Sequence, residues 1–97
     1  MVDVIATQPY IKVERVVSRI DQKDIKHERT LYLYPDRIVT RHREFEIDEV
    51  IKLSEKRIGS KGGILYIHTT RGLFSYTIQT SAKPFIEAFQ HHFPHKS

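Results

Sequence analysis

Two runs of alternating apolar residues, ILYIHTT (64–70) and LFSYTIQ (73–79), are separated by Arg71-Gly72. Alternation sends every second side chain to one face of a strand, and a two-residue link containing glycine lets the chain reverse. This spacing predicts a β-hairpin. The same period, carried by β-branched and aromatic residues, runs through most of the chain. YIKVERVVSRI (10–20) reads as the first strand, and a parity shift from Ile11 and Val13 to Val16 and Ile20 predicts a β-bulge near Arg15. DQKDIKH (21–27) reads as a polar connection and ERTLYLY (28–34) as the next strand. Pro35-Asp36 marks a turn into a return strand, DRIVTRH. FEIDEV and VIKLSEKRI supply two more short strands, with Phe45, Ile47, Ile51 and Leu53 as expected core residues.

The pattern changes after residue 79. Thr80 or Ser81 offers a helix N-cap, Pro84 falls in the first turn, and Ala82, Phe85, Ile86, Phe89 and Phe93 recur at helical spacing. Pro94 stops the helix. A twisted sheet must close or fold over to hide its apolar face and edges, and the phenylalanine stripe is suited to plug the open end. The expected class is therefore mostly β with one C-terminal helix (α+β): a roll or barrel of about seven antiparallel strands capped by helix 81–93. At 97 residues the chain is expected to be one domain, 1–97, with its core over about 10–93. It has no cysteine, so disulfides and thiolate metal sites are excluded. No run approaches the ~20 apolar residues of a membrane span, and MVDVIATQPY lacks the features of a signal peptide, so a soluble, cytoplasmic protein is expected.

The segments FEIDEVIKL and ILYIHTTRGLFSYTIQTSAKPFIEAF resemble the second half of small bacterial pleckstrin-homology-like (PH-like) domains. They match in the short strand turning into the next, the apolar hairpin with its turn glycine, the aromatic return strand and the capping helix. The whole order, seven strands followed by a C-terminal helix over roughly residues 10–93, is similar to the PH superfold and implies a PH-like fold. It does not imply one function, because such folds host lipid-headgroup, phosphopeptide, proline-rich-peptide and scaffolding roles. Many phosphoinositide-binding members carry Lys-Xn-(Lys/Arg)-X-Arg between their first two strands. The corresponding RIDQKDIKHER offers Arg19, Lys23, Lys26 and Arg29. It departs from the pattern, with His27 in the place of the middle cation and Asp21, Asp24 and Glu28 interleaved. A run of mixed sign reads first as a solvated face.

Net charge points the same way: 16 basic against 12 acidic residues give +4, which permits attraction to anions but is weak for a dedicated nucleic-acid binder. GSKGG (59–63) lies between two strands and not before a helix, so it reads as a hairpin tip rather than a phosphate loop. Lys61, beside Lys56 and Arg57, adds a basic rim. Candidate anion-binding residues are therefore Lys23, Lys26, Arg29 and Lys61. His91, His92 and His95 fall at a helix end with no carboxylate nearby, and no metal or cofactor is expected. The serines lack a nucleophile-turn context, His68 sits alone in a strand, and Asp48 and Glu49 would face opposite sides of an extended chain, so catalysis is not expected. Tyr10, Tyr32, Tyr34, Tyr66 and Tyr76 are spread among dispersed cations, which ranks nucleic acid third as a partner. The leading expectation is a non-catalytic interaction or scaffold domain. It would bind an unidentified protein or peptide, in a groove between helix and edge strand, or self-associate. The alternative is weak binding of anionic or phosphorylated ligands, or membrane headgroups, through the loop between strands 1 and 2.

Overall fold

The alternating runs are strands in the computed structural model, which describes residues 4–17, 22–60 and 62–96 and, at Arg15, Val16, Gln22 and Lys23, the backbone alone. The elements are β1 (Ala6–Val17), β2 (Gln22–Leu33), β3 (Arg37–Val39), β4 (Glu44–Glu46), a 3₁₀ turn (Ile47–Glu49), β5 (Val50–Ile58), β6 (Gly62–Thr69), β7 (Gly72–Ile78) and α1 (Lys83–His92). They form one antiparallel sheet in the order β4-β3-β2-β1-β7-β6-β5. The sheet curls but stays open, with β4 and β5 at its edges. On its concave side Leu31, Leu33, Ile38, Phe45, Val50, Leu53, Leu65, Ile67 and Ile78 pack with Phe85, Phe89 and Phe93 from the helix. The expected α+β class is thus observed, with the helix confined to Lys83–His92 rather than 81–93.

Several local expectations change. The polar segment 21–27 is not a connection: from Gln22 onward it is the start of β2. The β1–β2 hairpin extends beyond the core, so both its faces meet water and no apolar alternation is needed to specify it. The register runs unbroken from Ala6↔Leu33 to Val17↔Gln22, so no bulge occurs at Arg15. The irregularity falls between Val50 and Lys52 of β5, where Val50 is buried and Ile51 turns outward, 52% exposed instead of in the core. FEIDEV is not one strand, because the 3₁₀ turn interrupts it. DRIVTRH is a strand only from Arg37 to Val39, and Thr40 begins a turn.

Turn chemistry explains the sharp corners. In the last hairpin the two turn residues are Thr70-Arg71, one earlier than expected, and Gly72 pairs with Thr69 at φ +133°. Buried Thr69 accepts the Arg71 N–H at Oγ1 (3.1 Å) and donates to the Gly72 carbonyl (2.8 Å). Gly63 has a different role: a Cβ there would lie 2.5 Å from the Lys56 carbonyl oxygen, so only glycine lets β5 and β6 approach. The N-terminus of α1 is capped from a distance. Glu55 of β5 accepts the Ala82 N–H (2.8 Å), and Ser81 Oγ accepts the Lys83 N–H (3.1 Å). The turn Gly59-Ser60 leads into Lys61, which lies outside the described residues.

Candidate anion-binding site

β1 and β7 meet as partners at one residue pair, Ile11↔Thr77. Beyond that bridge the strands diverge, and a cleft of about 480 Å³ opens between them, within the size range of small-ligand sites. Its lining combines Lys12 of β1, Arg29 of β2, His42 and Arg43 of the β3–β4 turn, and the hydroxyl-bearing Tyr10, Thr40 and Tyr76; among the described residues no aspartate or glutamate lines it. Four separate segments therefore place positive or neutral hydrogen-bonding groups around one opening.

Each contribution has a local cause. The antiparallel register puts Tyr10 opposite Arg29 and Lys12 opposite His27, so these residues share the concave parity of Gln8 and Leu31. The β3–β4 turn is held by Thr40, whose N–H and Oγ1 both donate to the Arg43 carbonyl (2.8 and 3.1 Å). That closure presents Arg41 and His42 at the tip and sets the Arg43 guanidinium 4.6 Å above the Phe74 ring. Phe74 is fixed in turn by an edge contact with Phe45 (4.9 Å), and Tyr10 by an edge contact with Tyr76 (5.1 Å).

The electrostatics follow. The His42 imidazole is held below its ordinary value, first by desolvation and then by the charges of Arg29, Arg41 and Lys12. The ring is exposed, so its desolvation is slight and the surrounding cations are the more durable cause. Burial raises the half-buried Tyr76 hydroxyl, Tyr10 adds to the rise, and Arg43 and a hydrogen bond with Thr40 oppose it. Among the described residues, Lys12, Arg29, Arg41 and Arg43 form no salt bridge. An anion entering the cleft would thus meet cations whose charge is not already neutralised.

Of the candidate anion-binding residues expected from sequence, only Arg29 lines this cleft among the described residues, beside Tyr10 and Tyr76. Lys26 is three residues away on the same strand and therefore on the opposite face. The Lys23 side chain, Lys61 and Arg19 lie outside the described residues. Lys12, Arg41, His42 and Arg43 were not singled out. Their signal was a lysine on the core parity of a strand and the basic run RHR, neither of which shows proximity without the register. His27 faces Glu14 instead, 2.9 Å away.

Other constellations are less developed. Ser54 Oγ lies 2.7 Å from His68 Nε2 across β5 and β6, but neither side chain lines any groove described here. Asp48 and Glu49 lie in the 3₁₀ turn, where Glu49 meets Arg71 (3.0 Å). Among the described residues, no three His, Asp or Glu side chains converge as a metal site, and no helix is long and apolar enough to cross a membrane. The edge beside the helix is partly occupied, by the Glu55 cap and by Lys96 Nζ donating to the Val50 carbonyl (2.9 Å). The five tyrosines form no common platform: Tyr10 is buried and Tyr76 half-buried by the cleft, whereas Tyr32 is exposed. No protein-family model matches the chain, and no curated protein or solved structure matches it at a significant level, so function has to be argued from the site.

Proposed function

We propose that this chain is a PH-like, non-catalytic binding module that takes an anionic ligand in the cleft between β1 and β7. The strand order and the helix laid over the concave face support the fold assignment. The functional reading is carried by one observation: Lys12, Arg29, His42 and Arg43 line the same opening and, among the described residues, no carboxylate joins them. Convergent positive groups with low mutual neutralisation favour a phosphate or carboxylate ligand and repel cations. The proposed site is the strand cleft and the β3–β4 turn; the loop between strands 1 and 2, residues 18–21, lies outside the described residues.

Titration of the full chain with pyrophosphate, followed by NMR shifts, tests this. Saturable shifts at Lys12, Arg29, His42 and Arg43 are expected, weakening steeply between about 50 and 200 mM salt. Shifts confined to Lys26 and its neighbours, or none at all, would reject the cleft as the site.

A further inference from the structure

The split between β1 and β7 leaves unpaired strand on both sides of the cleft. β1 continues to Val17 and β7 begins at Gly72, yet the two pair at Ile11↔Thr77 alone. In an antiparallel strand alternate backbone N–H and C=O groups point to opposite sides. On β1 one side is satisfied by β2 throughout, and the other side has no strand beside it past the bridge. A second groove of about 420 Å³ flanks the bridge on its other side, where Glu28 joins Pro9, Tyr10, Arg29 and Gln79 in the lining. The sheet is therefore pinned at one pair and parted around it.

The two faces of this parting differ in chemistry. Inward lie Lys12, Arg29, His42 and Arg43, and next after Lys12 on the same parity of β1 lies Glu14, 2.9 Å from His27 Nε2. Outward, on the opposite parity, lie Val13 of β1 and Leu73 of β7, 51% and 57% exposed. An extended chain alternates its side chains in the same way, so one set would meet cations and the other apolar surface. Resting on the anion-binding reading above, we infer that the occupant of the cleft is an acidic peptide that adds as a strand along the free edge of β1, with acidic residues inward and apolar residues outward.

A fluorescein-labelled octapeptide, Glu-Val-Glu-Thr-Glu-Val-Glu-Thr, tests this against the full chain. A counterpart of equal charge, N-methylated at alternate residues, cannot pair on one edge. Pyrophosphate serves as the anion without a backbone. The expected result is saturable peptide binding, a loss of at least about tenfold for the N-methylated peptide, and slowed hydrogen exchange at β1 amides between Lys12 and Val17. Equal binding of the two peptides, or exchange protection at β5 instead, overturns strand addition. Pyrophosphate binding without peptide binding overturns it too, while leaving the anion site in place. Failure of all three probes removes the anion reading as well.

Discussion

The same two strands, β1 and β7, border two regions built on opposite terms. On one side of the Ile11↔Thr77 bridge, the curl of the sheet is filled by Leu31, Leu33, Ile78 and the phenylalanines of α1. On the other side no helix among the described residues lies over the curl, and the positions that would be core carry Lys12 and Arg29. The first region hides apolar surface and holds the fold; the second presents positive charge on a concave surface. A lid of aromatic side chains and a cationic opening are thus two ways of finishing one sheet. The helix is long enough to finish only one of them.

This contrast predicts that substitutions in the covered half change stability and leave binding alone, with the reverse in the open half. The largest effect is expected for Phe89→Ala. Phe89 is fully buried against Phe93 with ring centroids 5.3 Å apart, and its loss should cost about 3–5 kcal/mol in a urea unfolding curve. A cost under about 1 kcal/mol would mean that the helix does not plug the curl. Next, Arg29→Glu combined with Arg43→Glu should weaken pyrophosphate binding by at least about tenfold, equivalent to about 1.4 kcal/mol. Its unfolding midpoint should fall only slightly, because neither arginine is in a salt bridge among the described residues and the Arg43 contact with Phe74 contributes about 0.5–1 kcal/mol. A large loss of stability would show that the open half also supports the fold.

A smaller effect sharpens the covered half. Glu55→Gln keeps the shape but removes the charge that caps α1, and should cost about 1 kcal/mol of stability with unchanged ligand affinity. The smallest effect concerns pH. Desolvation and then the cations Arg29, Arg41 and Lys12 hold His42 below its ordinary value in the free protein, while Arg43 and Tyr76 complete its surroundings in the cleft. A bound anion raises it. Binding therefore takes up a proton, and sulfate, which stays dianionic, should bind a few-fold more tightly as the pH falls from about 7.5 to 5.5. His42→Gln should flatten that dependence in calorimetric titrations; an unchanged slope would place His42 away from the ligand.

The covered half was largely legible in the sequence. Phe85, Phe89 and Phe93 declare a helix stripe, and ILYIHTT with LFSYTIQ declares the strands beneath it, because burial imposes a period on residue type. Where burial stops, so does the pattern. Residues 22–27 of β2 look like a loop because a hairpin wet on both faces has no apolar face to reveal. Ile51 looked like core because a one-residue bulge reverses facing without altering composition. The cleft failed to show for a further reason: Lys12, Arg29 and Arg43 are far apart in sequence, and only the pairing register and the Thr40–Arg43 turn bring them to one opening.

Sequence alone determined the antiparallel β class, the terminal helix and its apolar face, since each follows from the periodicity of side chains along a regular backbone. The tertiary structure decided which way the sheet curls over that helix, where β1 and β7 part, and which cations converge. Those outcomes depend on contacts between distant segments, which no local period encodes.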